Sequence, residues 1–157
     1  MKAIDFIKDS KNEFTQKEIV VKGNNNKEYK VKINNKLKDT DVMSMVDDLV
    51  SRSEMCKKEN IKFDTVMSMY ALMIKYFTDI QFSTYPNLKR QFAHEIDMLK
   101  AMIDLGVFTE ILSNFDNGEI KKIEDMFKKY ATSFNVINHN EITKQILAGE
   151  GNGELPV

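Results

Sequence analysis

The clearest periodicity near the start of the chain has a step of two. Tyr29, Val31 and Ile33 alternate with Lys30, Lys32 and Asn34, and the β-branched run Ile19-Val20-Val21 precedes them. Between the two stretches lies Gly23-Asn24-Asn25-Asn26, residue types that tolerate positive φ. The pattern predicts a β-hairpin over 17–34 with one face on a core and one in water. An isolated hairpin is marginal in water, so it must pack on helices or pair with a further strand. Before it, residues 1–15 mix apolar and charged positions. Ile4, Phe6 and Ile7 suit a single helical turn or a short arm that docks elsewhere.

After residue 38 the step changes to that of a helix. Val42, Met45, Val46, Leu49, Val50 and Ser53 follow i, i+3, i+4, i+7 spacing, with Asp39, Thr40 and Asp41 as N-cap candidates. Cys56 continues this stripe, which makes it a buried structural thiol. Asp48 and Arg52 stand four apart in the favourable acid-first order. A second helix, capped by Asp64, carries apolar residues around nearly its whole circumference between Val66 and Phe77, so it is expected at the centre. Pro86 marks the next break. Leu88, Phe92, Ile96, Leu99, Met102 and Ile103 form a stripe that ends at Gly106, a C′ candidate. A short helix follows with Val107, Phe108, Ile111 and Leu112. Then come a turn at 114–118 and a stripe of Ile120, Ile123, Phe127, Tyr130 and Phe134. Ile142, Ile146 and Leu147 suggest one more helix.

The fold class is therefore mainly α (α+β): an N-terminal hairpin followed by a compact bundle of five to six helices. A single domain is expected over 1–148, with the arm at 1–15, the hairpin at 17–34 and the bundle at 39–148. The glycine-rich residues 149–157 are expected to form a flexible tail.

The composition narrows the class. The chain has 157 residues, is 42% hydrophobic and 30% charged, and carries a formal net charge of −1. This is the profile of a soluble globular domain able to bury its own core. The longest apolar run, Val66 to Ile80, falls short of the ~20 residues of a membrane span and contains Lys75. The N-terminus carries acids and no continuous apolar run, so no secretory signal is expected. A lone cysteine allows no intrachain disulfide, and a cytoplasmic location is the simplest expectation, with association with a virion left open. Lysine, asparagine and isoleucine are abundant and arginine is confined to Arg52 and Arg90, as in an AT-rich genome.

Little in the chain resembles chemistry. His94-Glu95 starts like a zinc-protease motif, but Met98 stands where the second histidine belongs. Asp47-Asp48 point about 100° apart on a helix and read as a solvated face. The late glycines follow no strand and precede no Lys-Ser/Thr, so they form no phosphate cradle. No catalytic residue, metal or cofactor is expected, and the protein is read as a non-enzyme.

Two features suggest contact with a partner. Lysines 17, 22, 27, 30, 32, 36 and 38 meet only Glu18 and Glu28, a formal +5 in a chain of net −1. Such a face suits an acidic surface, or it keeps exposed strands from pairing edge to edge. With no arginine and one aromatic, it is poorly supplied for nucleic acid. The ten methionines concentrate on three helices. Met43 lies off its helix's main stripe and Met69 on a second face of the central helix, so an apolar groove for a partner's helix is one reading and ordinary core the other. The candidate partner-binding residues are Lys22, Lys27, Lys30, Lys32, Met43 and Met69.

One arrangement resembles a known group. A basic hairpin is followed by Lys38-Asp39-Thr40-Asp41, by Val46-Asp47-Asp48-Leu49-Val50, by Tyr76-Phe77-Thr78-Asp79-Ile80 and by Asp104-Leu105-Gly106-Val107-Phe108. Over residues 28–134 this is similar to small proteins of tailed phages and prophages of low-GC Gram-positive bacteria. Some of these act as tail assembly chaperones. The resemblance implies a non-enzymatic protein that binds the tape-measure protein until tail-tube subunits polymerise round it. No functional residue transfers position by position. The alternative is a phage- or mobile-element-encoded inhibitor that binds a host defence or transcription protein. A gene between those for tail tube and tape measure would favour assembly, and one in an early cluster inhibition.

Overall fold

The structure, a computed structural model, describes residues 1–133. A helix, α1 (Ala3–Glu13), precedes the hairpin of β1 (Gln16–Lys22) and β2 (Glu28–Asn34). Five helices follow: α2 (Asp39–Lys58), α3 (Thr65–Phe77), α4 (Leu88–Asp104), α5 (Val107–Ser113) and α6 (Asn117–Ser133). The mainly α, α+β class expected from the periodicities is the observed one. The helix expected near 142–147, the tail at 149–157 and the Phe134 end of the last stripe lie outside the described residues.

The hairpin register pairs Ile19 with Val31 and Val21 with Tyr29. Val21, Val31 and Ile33 enter the core, whereas Val20, opposite Lys30, faces solvent. Asn26 takes φ 64°, as the turn sequence requires. The hairpin meets both conditions for its stability. Its inner face packs on the helices, and its β2 edge is covered by the chain leaving α3. There Ile33 bridges Thr78, Asp79 N–H donates to Lys32 O (3.0 Å), and Lys32 N–H donates to Asp79 Oδ1 (2.9 Å).

The tip of the hairpin docks on the α4–α5 corner. Asn24 N–H donates to Leu105 O (2.8 Å) and its side-chain amide to Asp104 O (3.1 Å), closing carbonyls that the end of α4 leaves open. Gly106 supplies the left-handed residue there, at φ 77°. A Cβ on Gly106 would stand 2.9 Å from Asn24 Oδ1, so any other residue there strains the backbone and displaces the Asn24 side chain.

α3 is central, as its apolar circumference implies. Eight of its thirteen residues are buried, and it packs between α2 and α4. Asp64 caps it by accepting from Met67 N–H (3.1 Å). Tyr70 meets Phe108 of α5 edge to face at 5.2 Å. α2 also packs on α6, where Ile123 and Phe127 are buried.

Four expectations are corrected. The N-terminal segment is a helix of three turns, not one, and none of its residues is buried. The N-cap of α2 is Lys38, without a side-chain cap, so Asp39 and Asp41 sit inside the first turn, where they favour its positive end. The entry is set instead by Leu37. Its N–H donates to Glu119 (3.0 Å), and its carbonyl accepts from Lys122 Nζ (3.1 Å), both on α6. Asp48 is not a solvated carboxylate but lies largely covered beside Arg52. Positions 42, 45, 46, 49, 52 and 56 form the buried seam of α2, so Arg52 falls where Ser53 is expected from the stripe.

Candidate functional site

The predicted partner-binding residues divide into two groups. Strand alternation places Lys22, Lys30 and Lys32 on the outward face of the hairpin, all exposed. Lys30 stands opposite the exposed Val20, while Lys22 pairs in register with Glu28 and Lys32 with Glu18. The face is therefore mixed in sign, not uniformly basic. Lys27 lies in the turn with its ammonium 5.4 Å from the Tyr29 ring centre. Met43 on α2 and Met69 on α3 are half-buried, and Met69 packs on the core cluster. Two cavities, of about 430 and 510 Å³, are lined by neither the methionines nor the hairpin lysines.

Two further features stand out, neither predicted as a site. The first is α1. Ile4, Phe6 and Ile7 remain 66%, 64% and 57% exposed. At 100° per residue, Phe6, Ala3, Ile7 and Ile4 fall on one half of the helix, with Ser10 and Lys11 one turn further along the same side, and Lys2, Asp5, Asp9 and Asn12 fall on the other. The polar half is well organised, since Asp5 accepts from Lys2 N–H at 3.0 Å. The helix is held at its C-terminal end, where Glu13 pairs with Lys36 and the Phe14 ring lies 5.9 Å from the Lys38 ammonium.

The second is a buried ionic cluster. Arg52 of α2 and Glu95 of α4 are both buried, and Arg52 Nη1 donates to Glu95 Oε1. Arg52 Nε donates to Asp48 Oδ1 (3.1 Å), and the guanidinium lies 5.1 Å from the Phe92 ring centre. Asp48 Oδ2 accepts from Tyr76 OH (3.3 Å) and Lys75 Nζ (3.5 Å). Gln91 joins the cluster to the following loop. Its amide donates to Glu95 Oε2 (3.0 Å) and Ser83 O (3.1 Å), and its carbonyl accepts from Tyr85 N–H (2.7 Å). His94 Nε2 accepts from Ser83 N–H (3.0 Å), a structural role.

Electrostatics explain how the cluster tolerates burial. Desolvation works against the Arg52 charge, but Glu95 and then Asp48 outweigh it, so Arg52 stays above its usual value. Burial first, and the Asp48 charge next, push the Tyr76 phenol up. Burial also pushes the Cys56 thiol up against a smaller opposing effect of Arg52. Cys56 is the buried structural thiol its place on the stripe predicted.

The missed pair had a signal. Glu95 stands three after Phe92 and four before Leu99, and Arg52 three after Leu49 and four before Cys56. Each charge interrupts an apolar seam, and opposite charges in two seams suggest a pair.

Among the described residues, no group of three or more His, Cys, Asp and Glu side chains is placed to hold a metal ion. No described helix is long and apolar enough to cross a membrane. These features define a mainly helical protein with a sheet-edged core, an exposed amphipathic helix and an internal ionic cluster. The chain belongs to the YomO family, whose model matches residues 4–152. The family name is of the Bacillus prophage type, and membership supports a phage-derived protein. No curated protein and no solved structure matches the chain.

Proposed function

We propose that this chain is a non-enzymatic phage assembly protein, a tail assembly chaperone that holds the tape-measure protein, and that α1 is its grip. One observation carries the reading: an amphipathic helix with no buried residue, whose Ile4, Phe6 and Ile7 each stay more than half exposed. A lone helix of eleven residues is marginal in water, and burial of its apolar stripe in a partner's groove stabilises it. The charges of α1 are balanced, with Lys2, Lys8 and Lys11 against Asp5, Asp9 and Glu13, so the contact is apolar in character. The mixed-sign outer face of the hairpin suits a role in keeping such a complex hydrated. Phage-type family membership and the resemblance over residues 28–134 support the choice of partner.

Co-expression with the tape-measure protein of the same phage genome tests the reading. The expected result is a severalfold rise in soluble tape-measure protein that co-purifies with this chain. The combined Ile4→Ser, Phe6→Ser and Ile7→Ser variant should lose both effects. Absence of co-purification with the unsubstituted chain would remove the reading.

A further inference from the structure

The cavity of about 430 Å³ beside the ionic cluster lies in the range of small-ligand pockets, roughly 300–1,000 Å³. It opens between α2, the end of α3, the 80–85 connection and the start of α4. Its polar groups are unequally used. Both oxygens of Glu95 accept, from Arg52 and Gln91, and both oxygens of Asp48 accept, from Arg52, Lys75 and Tyr76. Gln91 is spent on Glu95, Ser83 and Tyr85.

The donors are not all used. Arg52 employs Nε and Nη1, and its Nη2 has no partner among the described residues. No sealed side-chain nitrogen or oxygen among those residues lacks a partner, so Nη2 reaches solvent, and Arg52 lines this cavity. Lys75 Nζ makes one ion-pair contact, with Asp48 at 3.5 Å, and lies 5.5 Å from the Tyr76 ring centre, and its side chain is 48% exposed. Ile80, Phe82 and Tyr85 supply the apolar wall, and Arg90 stacks on Tyr85 at 4.3 Å. Gln91 and His94 tie the loop that carries these rings, so the wall is preformed.

Open cationic donors, occupied carboxylates and an adjacent apolar wall complement a negatively charged acceptor on an apolar body. A planar carboxylate matches a guanidinium edge and an ammonium together. We propose that this cavity binds a carboxylate borne on an apolar or aromatic body, the carboxylate between Arg52 Nη2 and Lys75 Nζ and the body against Ile80, Phe82 and Tyr85. Arg52 and Lys75 are balanced in charge by Asp48 and Glu95, so the attraction acts through direct contact, not at long range. The carboxylate belongs to a glutamate of a partner protein or to a free acid. The proposal stands on observations separate from those made on α1.

The test is a titration of the full ¹⁵N-labelled chain, followed by amide and Arg52 Nε–H chemical shifts. The probes are 3-phenylpropionate, its neutral amide 3-phenylpropanamide, and the peptide acetyl-Phe-Glu-Leu-amide. Saturable shifts at residues 80–85 and Arg52 are expected with the acid, with the amide about tenfold weaker, as loss of one charge-assisted contact implies. Lys75→Met should weaken the acid severalfold without altering the rest of the spectrum, and it keeps the test decisive if Arg52→Met fails to fold. A tighter peptide assigns the carboxylate to a protein partner, and a tighter free acid to a small molecule. Shifts that do not saturate, equal binding of acid and amide, or an unchanged Lys75→Met titration would overturn the proposal. Serine substitution in α1 should leave every titration unchanged, so a failure here is distinct from a failure to bind the tape-measure protein.

Discussion

α1 and α3 differ by only two residues in length and have opposite fates. α3 buries eight of its thirteen residues, and α1 buries none of its eleven. Both carry apolar side chains at helical spacing. The difference lies in the rest of the circumference: α3 is apolar around nearly all of it and packs against α2 and α4, whereas the apolar residues of α1 share their side with Ser10 and Lys11 and none is buried. An amphipathic pattern therefore establishes that a helix will form against something. It does not establish that the something belongs to the same chain.

The contrast can be broken by substitution. The largest effect is expected in the α3 core, where Phe77 is fully buried: Phe77→Ala should destabilise the fold by about 3–5 kcal/mol in urea unfolding. Next is the ionic cluster flanking α3. Glu95→Leu leaves the buried Arg52 with Asp48 alone and should cost about 3 kcal/mol, the low end for a buried pair because Asp48 remains and Arg52 borders a cavity. Adding Arg52→Met should restore most of that loss, and a double variant no better than the single would show that the pair is not the coupled unit described. Gly106→Ala, at φ 77° and against Asn24, should cost about 1–2 kcal/mol and loosen the hairpin tip in hydrogen exchange. The smallest effect is expected in α1. Serine at positions 4, 6 and 7 should change unfolding stability by less than about 0.5 kcal/mol. A loss comparable with that of Phe77→Ala would show that α1 docks on its own chain and would erase the contrast.

What could be read beforehand follows the same line. The hairpin, the centrality of α3 and the buried Cys56 were legible because a step of two, a fully apolar helix and a stripe are local patterns. The Arg52–Glu95 pair escaped because charged residues are assigned to solvent by type, although both break apolar seams at core positions. The three-turn length of α1 escaped because its apolar residues end at Ile7, so that side continues with Ser10 and Lys11 and the last turn shows no apolar period. Lys22, Lys30 and Lys32 were correctly placed on strands. Their glutamate neighbours across the hairpin depend on register, which the turn sets and the count of lysines does not reveal.

The clasp at the hairpin tip bears on the order of folding. Lys22 is held by Glu110, Asn24 by Asp104 and Leu105, and Leu37 by Glu119 and Lys122, ties that span some 80 residues each. These ties form only once residues 104–122 are present, so the hairpin gains its anchors from a segment far along the chain. The loop-closure penalty falls before the reward, so the hairpin is among the last parts to become secure and the whole assembles as one cooperative event.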